Sequence, residues 1–487
     1  MRVLAWGVVV LCLALVPGAA LGRSLTDILL EKGVITPQEA KQIQKGGAAA
    51  PAGPAEQKLI DILVQKGVIT PAERAEAVGP PAAAVKVAAP EAEGEKAAAT
   101  EKAAADTSTF RAFWKDGLRF ENTDGSFKMR IGGRIQLDTA LFSPSQALQD
   151  DFGFDSFESG VEFRRARLYT EGVILKDFGW KFEYDFADQA FKDVWLEATH
   201  VPWVQMARVG FFKEPMSLEE LTSDNFTTFM ERGLPNAFSP SRKTGAGVMQ
   251  TFMDDRITWA VGGFRGNSNN LGAAFGGEQA WDLTTRLTGL PWYDDEANLL
   301  YVGLGYSHQF RSNFDIAYSS RPEAHLVPTL INTMDVPTDG VDLLDPAAAL
   351  VMGPFSAQAE YIQTLVQGAD GAPGDPRFFG WYAFLSYFPT GEHRTFNLKE
   401  AAFGRVYPRR NFGFDSADGW GALELAIRQS QLNLNSGGIN GGRLNDTTVG
   451  LAWYLNPNMR MLVNYVYANR TPESSGNVYE ARVQVDY

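Results

Sequence analysis

The sequence contains very little cysteine and histidine, and this limits the chemistry open to the protein. Its one cysteine, Cys12, lies in the N-terminal apolar stretch, so the chain beyond that stretch has no disulfide, thiolate metal site or cysteine nucleophile. The four histidines (His200, His308, His325 and His393) are far apart and lack the spacing of metal ligands. No glycine-rich phosphate loop or nucleophile elbow occurs either. We therefore predict that the protein is not an enzyme and holds no metal or cofactor.

Long hydrophobic runs are also missing, which argues against a helical membrane protein. The longest apolar run, Val3 to Val16, is too short to cross hydrocarbon as a helix. It follows Arg2 and precedes a stretch of small residues over 17–22, an arrangement typical of a secretory signal with its cleavage zone. We predict a signal peptide over residues 1–22 and export of the mature chain.

Positive charge is in deficit, and this argues against a nucleic-acid partner. The formal net charge is -14, and from residue 110 onward 33 basic residues face 46 acidic ones. Nucleic-acid binding requires a basic surface. Arginine supplies 25 of those 33 basic residues. The guanidinium group suits both anion coordination and structural ion pairs, so this preference alone leaves the two roles open.

The N-terminal region carries an internal duplication followed by a linker. Leu25 to Pro37 recurs as Leu59 to Pro71, and each copy resembles a short helix that ends at a glycine before a Thr-Pro pair opens a second helix. We expect two short helical repeats over 23–78, in the periplasm, acting as an assembly or spacer element that contacts the cell wall or another subunit. Residues 79–109 are rich in Ala, Pro and Glu, and we expect a disordered linker.

From residue 110 to the end, short segments alternate apolar and polar residues with the period of two that marks a β-strand. In 479–487, Tyr479, Val483 and Tyr487 share one face, and charged or amide residues share the other. The segment 129–138 follows the same pattern. A soluble sandwich would place the polar face in solvent, whereas a transmembrane barrel would turn it towards a water-filled lumen. A strand that runs to the last residue favours the barrel, because closure removes the exposed edge.

Length sets the size of this barrel. The segment 110–487 has 378 residues, and at roughly 24 residues per strand with its connection it accommodates about 16 strands. Aromatic residues near the segment ends fit two interfacial girdles. The predicted fold class is therefore all-β, a transmembrane antiparallel barrel of about 16 strands over 110–487.

Three parts of this region resemble the phosphate-selective porin O and P family of Gram-negative outer membranes. The first comprises Gly117-Leu-Arg-Phe, Ile131-Gly-Gly-Arg-Ile-Gln-Leu-Asp and Phe163-Arg-Arg-Ala-Arg; the second comprises Val209-Gly-Phe-Phe-Lys-Glu-Pro-Met-Ser and Phe229-Met-Glu-Arg-Gly-Leu-Pro-Asn-Ala-Phe; the third comprises Gly419-Trp-Gly-Ala-Leu-Glu-Leu-Ala-Ile-Arg and Leu451-Ala-Trp-Tyr-Leu-Asn-Pro-Asn-Met-Arg. The resemblance implies an outer-membrane homotrimer of 16-stranded barrels, each with a loop folded inward to narrow the pore.

The predicted inward loop covers about 217–243, the longest early interruption of the strand pattern. The resemblance implies that Arg232 faces the constriction and contacts anions such as phosphate. Strand parity adds further basic lumen residues, with Arg164 left near the membrane interface. These residues are Arg130, Arg134, Arg165, Arg167, Arg428 and Lys213.

The loop departs from the family pattern in its charge. Positions that offer a lysine and small hydroxyls in phosphate-selective members hold Glu220, Ser223 and Asp224, and Glu219 and Glu231 add further carboxylates. Arg232 is then either an anion contact or an ion-paired structural residue. We predict a water-filled passive channel for small anions; the alternative is a general or weakly cation-preferring porin whose N-terminal repeats tether the cell envelope.

Overall fold

The computed structural model describes residues 110–273, 280–369, 371–415, 419–471 and 474–487, without the side chains of 312–314. The predicted signal peptide (1–22), helical repeats (23–78) and linker (79–109) lie outside these residues.

Most of the described chain is β-strand. In chain order the strands are β1 (Phe110–Trp114), β2 (Leu118–Asn122), β3 (Phe127–Pro144), β4 (Glu158–Ile174), β5 (Phe178–Asp185), β6 (Ala190–Thr199), β7 (Met206–Lys213), β8 (Arg242–Phe252), β9 (Ile257–Arg265), β10 (Trp281–Asp295), β11 (Asn298–Ile316), β12 (Ser319–Ser320), β13 (Ile331–Asn332), β14 (Val336–Met352), β15 (Phe355–Gly368), β16 (Arg377–Tyr387), β17 (Phe396–Asn397), β18 (Ala402–Phe403), β19 (Ala422–Ser436), β20 (Ile439–Asn456), β21 (Met459–Thr471) and β22 (Ser474–Asp486).

In the part of the chain that the structure describes, helix is confined to short pieces between the strands. They are α1 (Gln146–Phe152), the four-residue α2 (Leu218–Leu221) and a 3₁₀ turn at Leu234–Ala237. Within the described ranges, no helix combines the length and apolar character needed to cross a membrane.

Sixteen of the strands close into one antiparallel barrel, as the sequence predicts. Each barrel strand pairs with its neighbours in chain order, and β22 pairs back onto β3 from Gly476↔Pro144 to Asp486↔Arg134. The β1–β2 hairpin pairs with the start of β3, before the part of β3 that pairs with β22, and Leu118 lies opposite Ile131. The four two-residue strands form separate small pairs, β12–β13 and β17–β18.

The alternation in the sequence becomes the two faces of the barrel wall. In β3, Ile135 and Leu137 are exposed on the outside, while Gln136 and Asp138 are buried inside. The last strand behaves alike, because Val483 is exposed and its neighbour Arg482 is 1% exposed. An apolar outer face with a charged interior is the arrangement of a strand wall between lipid and a lumen.

One irregularity changes which residues face inward. The pairing of β3 with β4 shifts between Gln136↔Arg165 and Leu137↔Phe163, so Arg164 is an extra residue without a partner on β3. Such a bulge re-aims the side chain that it carries.

Three long connections fold into the barrel interior. Residues 214–241 and 317–335 enter from one end, and 388–415 enter from the opposite end, where the other connections are short turns. Each contributes buried apolar side chains, among them Met216, Val327 and Phe403. The remaining lumen is therefore much narrower than the barrel wall alone would enclose.

Candidate pore constriction

The connection 214–241, called the constriction loop below, begins with a helical turn fixed to the barrel wall. The Ser217 hydroxyl accepts a hydrogen bond from Glu220 N and so caps α2. From β15, the Glu360 carboxylate accepts hydrogen bonds from Leu218 N (2.6 Å) and Glu219 N (3.0 Å). A carboxylate at a helix N-terminus satisfies backbone donors that lack helical partners. The start of the loop is therefore held against the wall.

Arg232, the predicted anion contact, forms hydrogen bonds and an ion pair with other residues of the constriction loop. Its guanidinium donates to the carbonyl oxygens of Glu219 (Nε, 2.9 Å) and Thr222 (Nη2, 2.9 Å), and it pairs with Asp224 Oδ1 at 2.6 Å. Burial would lower the pKa of Arg232, but the charges of Asp224 and Glu220 overcome this and raise the pKa. The contacts direct Arg232 at the loop, which favours a structural role.

Asp224 connects the constriction loop to arginines of the barrel wall through ion pairs. Its Oδ2 atom lies 3.0 Å from Arg165 Nε, 3.5 Å from Arg167 Nη1 and 3.8 Å from Arg134 Nη1. Burial would raise the pKa of Asp224, yet Arg165, Arg232 and Arg167 hold it well below its usual range. The carboxylate therefore stays ionised, and three predicted lumen arginines are engaged in holding the loop.

Arg164 and Arg482 both bind Glu231 of the constriction loop. Arg164 contacts both oxygens of Glu231, Nε to Oε1 at 2.9 Å and Nη2 to Oε2 at 3.1 Å. Arg482 Nη2 lies 2.8 Å from the same Oε1 atom. Strand parity predicts Arg164 near the membrane interface, but the bulge in β4 turns it into the barrel. Burial opposes the ionised form, but these arginines hold the pKa of Glu231 below its usual range.

Arg428 ties two inward connections together. Its Nη1 atom lies 3.3 Å from Glu219 Oε1 in the constriction loop, and its Nη2 atom lies 2.6 Å from Glu323 Oε2 in 317–335. Burial raises the pKa of Glu219 to about 7, although the Arg428 charge acts in the opposite direction. Arg428 is fully buried and connects the constriction loop to 317–335 through these two ion pairs.

The two other predicted basic residues also have close acidic partners. Arg130 Nη1 lies 3.3 Å from Glu171 Oε1, and its guanidinium stacks over the Tyr169 ring at 5.2 Å. Lys213 Nζ lies 3.4 Å from Glu220 Oε1 and also donates to the Glu220 carbonyl oxygen.

An open part of the lumen lies between the constriction loop and strands β3–β10. It is a cavity of about 420 Å³, and of the residues predicted from the sequence only Arg134, Lys213 and Asp224 line it. Its charged lining comprises six basic and six acidic side chains. They are Arg134, Lys181, Arg208, Lys213, Arg242 and Arg286, with Glu171, Glu183, Asp193, Glu197, Asp224 and Glu400.

Most of these lining charges are arranged in ion pairs between residues of nearby strands. Arg208 Nη2 lies 2.7 Å from Glu197 Oε2, and Arg242 Nη2 lies 2.8 Å from Asp193 Oδ2. Arg286 differs, because its Nη2 atom donates to Tyr301 Oη and to the carbonyl oxygen of Ala401, both at 2.8 Å. Arg286 thereby links the wall to 388–415, the connection that also brings Glu400 to the cavity.

Sequence reasoning missed several of these residues. Arg482 shares the polar face of the last strand with Glu480 and Gln484, so its parity was a usable signal. Arg286 has a similar signal, since it alternates with Leu287 in β10. Glu323 lies in a long connection, and no local pattern predicts that this carboxylate enters the barrel.

In the described part of the chain, no group of three or more His, Cys, Asp or Glu side chains is placed to hold a metal ion. The geometry is instead that of a charged, water-accessible passage through a closed barrel. A sixteen-stranded barrel with a lipid-facing apolar wall and loops that narrow a charged lumen defines a porin-type channel.

Comparison with known proteins identifies the family. The family described as Phosphate-selective porin O and P matches residues 129–487, and the chain belongs to this family. It is 30% identical over 398 residues to an uncharacterized protein of Caulobacter vibrioides, covering 77% of this chain and 76% of the relative. It is 25% identical over 418 residues to Porin O of Pseudomonas aeruginosa, covering 76% of this chain and 91% of the relative.

The chain also aligns with solved structures. The anion-selective porin from Comamonas acidovorans aligns with a TM-score of 0.45 at 10% identity, over 74% of this chain and 100% of that one. The outer-membrane channel DcaP of Acinetobacter baumannii aligns with a TM-score of 0.47 at 10% identity, over 76% and 99%. Family membership makes the protein an outer-membrane channel and not an enzyme.

Proposed function

We propose that the protein is a passive diffusion channel for small hydrophilic solutes, inorganic anions among them, with little discrimination by charge. The observation that carries this proposal is the lining of the lumen cavity, where six basic side chains face six acidic ones. Rings of one sign of charge set ion preference in channels, and here neither sign is in excess. The proposal corresponds to the general-porin alternative from the sequence.

Passage in this proposal depends on exchange between existing ion pairs and the solute. A charged solute contacts one partner of a pair such as Arg208–Glu197 while water solvates the other partner. Each such contact is weak, because the fixed counter-charge lies only 2.7 Å away. Weak contacts at several points allow a solute to enter and also to leave.

A preference for small anions such as phosphate is the second candidate, and Arg286 supports it. Its guanidinium donates to two neutral oxygens, and no carboxylate of the described residues lies within 4.0 Å of it. A guanidinium without a close carboxylate retains its attraction for an anion. The family description, Phosphate-selective porin O and P, supports this candidate.

The zero-current potential of the purified protein in a planar bilayer under a KCl gradient distinguishes the candidates. We expect potassium and chloride permeabilities within about threefold of each other, as a lining without net charge implies. Strong anion preference with block by phosphate would instead establish the second candidate. Absence of any current would overturn the channel itself.

A further proposal concerns the oligomeric state of the protein and the residues that precede the barrel. Following the family resemblance, we propose a homotrimer in the outer membrane, a cleaved signal at 1–22, and a periplasmic spacer over 23–78 joined by the linker 79–109. Native mass measurement in detergent tests for three copies. Deleting 24–106 tests the spacer, because a channel that keeps its conductance without these residues shows that they are accessory to transport.

A further inference from the structure

One wall of the lumen cavity is apolar, although inward positions of a water-filled barrel are ordinarily polar. Trp195, Met206, Phe212 and Met249 line the cavity from β6, β7 and β8. Phe212 is buried, but Trp195, Met206 and Met249 keep intermediate exposure. We call these four residues the apolar recess. Their exposure to water inside the lumen is unfavourable unless a solute covers them.

Small residues create the space in front of the apolar recess. Gly247 pairs with Arg208 on β7 and with Gly262 on β9, and Ala260 lies opposite Met249. Gly247 and Ala260 both line the cavity. Larger side chains at these inward positions would fill it. The wall of β7–β9 therefore leaves open space beside Met206 and Met249, and its charged lining residues are all basic: Arg208, Lys213 and Arg242.

Charges of both signs lie around the apolar recess. Arg208 stacks over the Trp195 ring at 4.1 Å and pairs with Glu197 at 2.7 Å. Lys181, which pairs with Trp195 across β5 and β6, has Glu171 at 3.4 Å and Glu183 at 3.7 Å. A solute beside Trp195 thus meets a cation and a carboxylate together.

We propose that this cavity is a transport subsite for small zwitterionic solutes that carry an apolar or aromatic side group, of the kind represented by apolar amino acids. The proposal rests on the proposed channel function and names a solute class for it. The carboxylate of the solute contacts Arg208 or Lys181, and its ammonium group contacts Glu197 or Glu171. The side group covers the apolar recess, where Met side chains adapt to varied shapes and Trp195 offers a ring face.

Size and charge agree with this class of solute. A cavity of about 420 Å³ lies within the range of small-molecule sites. An ion of one sign is repelled by six of the twelve charged side chains that line the cavity. A zwitterion can instead contact basic and acidic side chains at the same time. An inorganic ion leaves the apolar recess uncovered.

The test is block of the KCl current by phenylalanine in planar bilayers with the full-length protein. We expect reversible block by phenylalanine, and half-blocking concentrations at least about fivefold higher for glycine, phenylacetate and phenethylamine, as loss of one aromatic contact or one ion contact implies. Equal block by glycine would overturn the role of the apolar recess. Stronger block by phenylacetate or phosphate would make the cavity an anion site.

Two variants examine the apolar recess directly. Trp195→Ala removes its ring, and Gly247→Leu fills the space in front of it. A Cβ at Gly247 lies 3.1 Å from Val261 O, so this backbone oxygen must move by a few tenths of an ångström in the Gly247 variant. Both variants should raise the half-blocking concentration of phenylalanine about fivefold while KCl conductance persists. Trp259→Ala is the matched control, because Trp259 lies on the lipid-facing side of β9.

Outcomes separate this inference from the proposed function. If Gly247→Leu folds and conducts but phenylalanine blocks it as strongly as the unchanged protein, the apolar recess is not the subsite and the channel proposal stands. If the unchanged protein conducts no KCl current, both proposals fail. An equal effect of Trp259→Ala and Trp195→Ala would also overturn the inference.

Discussion

Arg482 in the last strand and Asp138 in the first barrel strand form a two-point ion pair across the seam that closes the barrel. Arg482 Nε and Nη2 each lie 2.7 Å from a different oxygen of Asp138, and the two residues are direct partners in the β22–β3 ladder. Both side chains are buried. Parallel hydrogen bonds of this kind fix register as well as charge.

We expect Asp138→Ala to destabilise the barrel, because it leaves the Arg482 guanidinium buried with Glu231 as its one remaining carboxylate partner. Removing one partner of a buried ion pair costs about 3–5 kcal/mol. The measurement is the temperature at which the folded protein loses its distinct electrophoretic mobility.

The matched control for the seam is Asp188→Ala, which breaks the more exposed Asp188–Lys192 pair at 2.6 Å. Surface pairs contribute about 0–1 kcal/mol, so this variant should unfold close to the unchanged protein. Equal effects of the two substitutions would contradict the assigned role of the seam pair.

Arg428→Met should loosen two inward connections at once. The substitution leaves Glu219 and Glu323 without their shared guanidinium, at a cost of about 3 kcal/mol. We expect larger fluctuations of the single-channel current, because the constriction loop and 317–335 are no longer braced. Gln429→Ala, on the outer face of the same strand, is the control. Quiet currents from the Arg428 variant would show that other contacts hold both loops.

The barrel could be predicted from the sequence because its determinant is local. The alternation of Ile135 and Leu137 with Gln136 and Asp138 is visible within one strand, and it fixes which face meets lipid. The number of strands follows from length, since each strand with its connection has a limited span.

Pairing inside the lumen could not be predicted, because the partners are far apart in the chain. Arg428 and Glu323 are 105 residues apart, and they meet only after a long connection enters the barrel. The predicted orientation of Arg164 is wrong for a different reason. Strict alternation assigns its side chain to the outer face, and a bulge turns it inward. Parity therefore indicates which residues enter the lumen but not whether each one faces the passage or braces a loop.

The constriction loop should become less firmly held as pH rises from about 4.5 to about 7. Burial raises the pKa of Glu219 to about 7 from its ordinary value of 4.5. A group whose pKa is raised by folding contributes stability that is complete below its unfolded pKa and is lost as pH rises through its folded pKa.

Current fluctuations recorded between pH 5 and pH 8 measure this effect, and they should increase with pH. Position 219 cannot ionise in Glu219→Gln, so the fluctuations of this variant should depend on pH less than those of the unchanged protein. A Glu219→Gln variant with the same pH dependence as the unchanged protein would assign the titration to another group.

Arg232→Ala should shift the zero-current potential towards cation preference, because it exposes the charges of Asp224 and Glu220. The structure offers two causes for such a shift: loss of a direct anion contact, or loss of one of the arginines that neutralise Asp224, the one at 2.6 Å. The double variant Arg232→Ala with Asp224→Ala separates them. If Arg232 acts through its ion pair, removing Asp224 as well restores much of the original potential, since both charges leave together. If Arg232 itself contacts anions, the double variant stays as cation-preferring as the single one. The contacts of Arg232 with Glu219 O and Thr222 O lead us to expect restoration.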